Sequence, residues 1–93
     1  MNIPESLVDA VLKSEDIESL FQHGAPGDEY SGETRKIVSA IASVDEKELD
    51  EDRLTNVVSS VWVHSFGPFS ADEIEMRMPA FRQVAHRILS ANA

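Results

Sequence analysis

The chain has 93 residues, with 17 Asp and Glu against 8 Lys and Arg, a net charge of −9 and no cysteine. That balance argues against nucleic acid and against anionic membrane surfaces, both of which recruit basic proteins. The lack of cysteine rules out disulfides, thiolate metal sites and a cysteine nucleophile.

The length suits one domain, residues 1–93. The segment Met1-Asn2-Ile3-Pro4-Glu5-Ser6 has no basic region followed by an apolar run, so it does not read as a signal peptide. No apolar stretch approaches a membrane span. The expectation is a cytoplasmic protein.

In chain order, Leu7, Val8, Val11 and Leu12 predict a first short amphipathic helix opened by Pro4. Ile17, Leu20 and Phe21 fall on the opposite side of that helix. A break near Ser14-Glu15-Asp16 is therefore predicted, followed by a short second helix capped by Ser14 or Asp16 and stopped by Gly24. A third helix carries Ile37, Val38, Ile41 and Val44, with Asp28 or Ser31 as its N-cap. Gly32 favours the later start, because a glycine inside a helix costs about 1 kcal/mol.

Asp45 through Arg53 reads as a charged connector whose last residues open the next helix. The fourth helix has the strongest pattern: Leu54, Val57, Val58, Val61, Trp62 and Phe66. Its valines are β-branched, but the period is about 3.6 rather than 2, so helix prevails over strand. Gly67-Pro68 is expected to end it with a left-handed glycine. Ser70-Ala71-Asp72-Glu73 is a capping box, and Ile74, Met78, Phe81, Ala85, Ile88 and Leu89 continue as one stripe. Pro79 lies inside that stripe and should kink the helix or split it. The predicted fold is all-α: a single small bundle of four main helices plus a short extra helix, the last kinked at Pro79. The fourth and fifth helices form the core pair, with Trp62 buried between them.

Few side chains suggest chemistry. His23, His64 and His86 lie on three different elements without ligand spacing, so no metal and no cofactor is expected. His86 with Arg82 and Arg87 suits the negative end of its helix. The acidic run from Asp45 to Asp52 lacks the glycine and terminal glutamate of a calcium loop. Serines 31, 59, 60, 65 and 70 have no nucleophile elbow around them, and Gly24-x-x-Gly27 has no following lysine to hold phosphate. Trp62, Phe66, Phe69 and Phe81 read as core aromatics.

One loop stands out, from His23 to Glu33. Its structural role is a glycine stop, a proline turn, a helix start and a tyrosine laid over the core. Its functional role is a patch of carboxylates and a phenol that meets a cation or a basic partner. The candidate partner-binding residues are Asp28, Glu29, Tyr30 and Glu33, with Asp28 serving the fold and Glu29 with Tyr30 forming the surface that is read. The pattern Gly24-Ala25-Pro26-x-Asp28-Glu29-Tyr30-x-x-Glu33 resembles the signature of a small bacterial helical family, domain of unknown function 1871. The resemblance extends to the Ile37 helix and to Ser65-Phe66-Gly67 with Phe69. It departs where Glu15-Asp16-Ile17 keeps only the aspartate of a tryptophan-aspartate-proline triplet, and where Ser31 replaces an acid. It implies a compact helical fold and no established activity.

Three functions are compatible with the sequence. The first is an acidic protein-interaction module, an adaptor or an inhibitor of a basic protein partner, and not an enzyme. The second is a small metal-assisted or acid–base enzyme using Asp28, Glu29 and Glu33. The third is a purely structural homo-oligomer, hinted at by the off-stripe residues Val63 and Met76.

Overall fold

Residues 3–18 and 30–92 are described by the computed structural model. They hold four helices and no strand: α1 Glu5–Glu15, α2 Ser31–Ala42, α3 Glu51–Phe66 and α4 Ala71–Asn92. The all-α bundle expected from the periodicity is what forms. The helices pack in a ring, α1 on α2, α2 on α3, α3 on α4, and α4 back on α1, with the α3–α4 contact the most extensive. Apolar side chains at helical spacing fill the centre, among them Leu12, Ile37, Val58, Phe81 and Ile88, all fully buried. The expected second helix falls largely on residues 19–29, outside the described residues, as do Asp28, Glu29, His23 and the Gly24 stop.

Each helix end has a local cause. Pro4 precedes α1, and its carbonyl accepts from Leu7 and Val8. Ile3, just before that cap, and Val8, the fourth helical residue, are both buried, the arrangement of a hydrophobic staple. α1 ends where Asp16 takes the left-handed conformation, φ 44° and ψ 54°, its N–H donating to the Leu12 carbonyl at 2.9 Å. Side chains resist that conformation, aspartate less than most. Asp50 caps α3, its carboxylate accepting from the Arg53 N–H at 2.8 Å.

Two terminators differ from expectation. The N-cap of α2 is Tyr30, without a side-chain cap bond, instead of Asp28 or Ser31. Burial of the Tyr30 ring fixes that corner, so core packing overrides cap preference. Gly67 is extended (φ −75°, ψ −171°) instead of left-handed. Glycine is needed there for closeness: a Cβ would run into the Val63 carbonyl oxygen that accepts the Gly67 N–H. Gly67→Ala is therefore expected to lower stability by about 1–3 kcal/mol in denaturant unfolding, although its φ suits alanine.

The Ser70 box forms as expected. The Ser70 hydroxyl accepts from the Glu73 N–H at 3.2 Å, and the Ser70 N–H donates to Glu73 Oε1 at 3.1 Å. The Ser70 N–H, and after it the Ser70 hydroxyl, hold the Glu73 carboxyl below its ordinary range. Ser70→Ala should cost about 1 kcal/mol, read as a lowered midpoint of thermal unfolding. α4 then runs through Pro79 as one helix of 22 residues, not two pieces, with the proline on the exposed side.

Candidate functional site

The part of the loop motif that the structure describes faces inward. Tyr30 is fully buried. Its ring stacks on Trp62 with centroids 5.6 Å apart and meets Phe66 edge-on at 6.3 Å. Its hydroxyl donates to Asp16 Oδ1 at 2.7 Å and accepts from the Glu18 N–H at 3.3 Å. The expectation that Tyr30 presents its phenol to a partner is corrected: the phenol ties the end of α1 to the start of α2. Its signal in the sequence is thin, since a tyrosine near a helix start fits a surface as well as a core.

Glu33 is also buried, and its Oε2 has no hydrogen-bond partner among the described residues. It lies one helical turn after Tyr30 and one before Ile37, on the inner side of α2. A partner cannot read it from outside. Of the four candidates, two are therefore interior, and Asp28 with Glu29 lies outside the described residues.

Beside Tyr30 is a polar junction that sequence reasoning missed. Glu18 sits at its centre. Its Oε1 accepts from Trp62 Nε1 at 2.9 Å and from Arg77 Nε at 2.8 Å, and its Oε2 accepts from a terminal Arg77 nitrogen at 3.1 Å. Arg77 lies over the Phe69 ring, 4.3 Å from its centroid, and also donates to the Glu73 carbonyl at 3.1 Å. The Arg77 guanidinium holds the Glu18 carboxyl below its ordinary range, against the opposing effect of burial. Glu18 in turn raises Arg77, which stays charged throughout. The arrangement is a paired fork joined to an indole N–H, a form suited to fixing chain segments together. A signal existed: Arg77 falls on the inward stripe of α4 between Ile74 and Phe81, where an arginine needs a carboxylate partner.

Other ion pairs also join elements. Arg87 reaches Glu15 at 2.8 Å and the Ser14 hydroxyl at 3.1 Å, linking α4 to α1. Arg82 reaches Asp52 at 2.9 Å, and His86 Nδ1 reaches Glu51 at 2.8 Å. These three bases thus meet acids of neighbouring helices, not the carboxyl end of their own as expected; α4 continues past them, and its last turn holds no base. Of the acids ahead of the fourth predicted helix, Asp50 serves as its cap, and Asp52 and Glu51 as the partners of Arg82 and His86.

Clefts indent the described surface. One, of about 220 Å³ between α1 and α2, is polar and includes Glu5, Asp9, Thr34 and Arg35. Asp9 there is already engaged, by Lys13 at 2.8 Å and by the Thr34 hydroxyl at 3.4 Å. Another, of about 320 Å³ between α2 and α3, has Ala40, Val57 and Val61 beside Arg53. Among the described residues no group of three or more His, Asp or Glu is placed to hold a metal, and no helix is long and apolar enough to cross a membrane. No family model, curated protein or solved structure matches the chain.

Proposed function

We propose that the chain is an acidic protein-interaction module that binds a basic protein partner, as an adaptor or an inhibitor of it. The observation that carries this is the disposition of its charges. Of the eight Lys and Arg side chains, Lys13, Arg53, Arg77, Arg82 and Arg87 are held in ion pairs with the chain's own carboxylates. The chain as a whole carries a net charge of −9, and acids such as Glu5, Asp45, Glu46, Asp72 and Glu75 are exposed. A field of one sign speeds encounter with an oppositely charged protein by about tenfold or more and weakens with salt. A distant relation to domain of unknown function 1871 belongs to the same proposal. It is supported by the loop motif, whose Tyr30 and Glu33 are the kind of interior anchors a family signature preserves.

Affinity capture from native extract tests this, using the wild type beside a variant carrying Asp45→Asn, Glu46→Gln and Glu5→Gln. The expected result is a basic protein retained by the wild type at low salt, released at high salt and retained less by the variant. Equal, salt-insensitive capture by both would contradict the proposal.

A further inference from the structure

We infer that the outer face of the first half of α4, centred on Met76, is the surface on which a basic partner docks, presenting an apolar residue ringed by Lys or Arg. This rests on the acidic-module reading and gives it a location. Asp72, Glu75, Met76, Pro79 and Gln83 share one side of α4 at helical spacing, and all five are exposed. Met76 is 80% exposed and is the exposed large hydrophobic residue among the described residues. A lone methionine on a surface is ordinary. What distinguishes this one is its surroundings.

The bases that could neutralise this face are drawn elsewhere. Arg77 points inward to Glu18 and Phe69, and Arg82 reaches across to Asp52. The carboxylates of Asp72 and Glu75 flank Met76, and among the described residues neither is held in an ion pair. Pro79 adds a further acceptor, because it has no N–H to give the Glu75 carbonyl one turn earlier. Around Met76 the face offers an adaptable apolar knob among two carboxylates and the Glu75 carbonyl, all acceptors, with the Gln83 amide further along, so its complement is an apolar socket among donors and positive charge. A second copy of this chain, itself at −9, is repelled from it.

The test is an NMR titration of the full chain with two synthetic peptides of equal charge. One is a helix of leucine and lysine, and the other has serine in place of leucine. Wild type is expected to prefer the leucine peptide by about tenfold, with shifts centred on residues 72–83. Met76→Ser should abolish that preference without changing the melting temperature. Asp72→Asn with Glu75→Gln should weaken both peptides and flatten the salt dependence. Salt-dependent binding that Met76→Ser leaves unchanged, with shifts centred on residues 45–52, would overturn the location while sparing the acidic-module reading. Absence of binding to either peptide at low salt would overturn both. A dimer in sedimentation that Met76→Ser dissolves would assign the face to a second copy and overturn the proposal.

Discussion

Trp62→Ala should be the most damaging single change in the described chain, costing about 3–5 kcal/mol. Trp62 is fully buried and central to the aromatic cluster, with ring centroids 5.6 Å from Tyr30, 5.1 Å from Phe66 and 6.1 Å from Phe81. Truncation leaves a cavity bordered by rigid rings, which cannot collapse to fill it. It also removes the indole N–H that Glu18 accepts at 2.9 Å. Domains are stable by about 5–15 kcal/mol, so the loss consumes a large share of the total. Trp62→Phe separates the two contributions, since it keeps an aromatic body and removes the donor. Circular dichroism in denaturant is the readout, because Trp62 is the one tryptophan and its fluorescence goes with it. In the wild type that fluorescence should be blue-shifted, as for a buried indole.

Arg77→Leu should rank second, at about 2–3 kcal/mol. The cost arises less from the guanidinium than from what it leaves behind. The Glu18 side chain is 16% exposed, and without Arg77 its charge retains one described partner, the Trp62 N–H. Glu18→Gln should cost less, because the amide oxygen still accepts from the indole. The double variant should be more stable than the sum of the single losses implies, since neither charge is then stranded. The acid dependence has a definite sign. Glu18 titrates below its ordinary value of 4.5 when folded, so the charged form stabilises the native state. That contribution is complete above the ordinary value and is lost as pH falls through the lowered one. The stability gap between wild type and Glu18→Gln should therefore be constant near neutrality and shrink in acid.

These residues also mark where sequence reasoning succeeds and where it stops. The stripes Leu54–Phe66 and Ile74–Leu89 specify α3 and α4, because periodic burial is a local signal. The Ser70 box is equally local, and its two bonds form as written. Gly67 ends α3 as its sequence position implies, but for another reason: its constraint is contact with Val63, which φ preferences do not encode. The Glu18–Trp62–Arg77 junction joins residues 44 and 59 positions apart, and no spacing rule reaches that far. The inward turn of Tyr30 was hidden for a similar reason, since its partners Asp16 and Trp62 lie on other elements. The acidic balance, visible at once in composition, needed the structure to reveal which bases are already engaged.

Tyr30 of the loop motif thus serves the architecture, while the proposed recognition belongs to the outer acidic surface. One paired comparison tests that division most directly: thermal stability and leucine–lysine peptide affinity, measured together for Tyr30→Phe and for Asp72→Asn with Glu75→Gln. Tyr30→Phe removes the hydroxyl that joins Asp16 to the Glu18 N–H. It should lower stability by about 1–2 kcal/mol and leave affinity unchanged. The acid-to-amide variant should do the reverse, losing most of the salt-dependent affinity at a stability cost of no more than about 0.3–1 kcal/mol, from the charge removed from the first turn of α4. A Tyr30→Phe protein that melts like wild type but no longer binds the peptide would contradict the account.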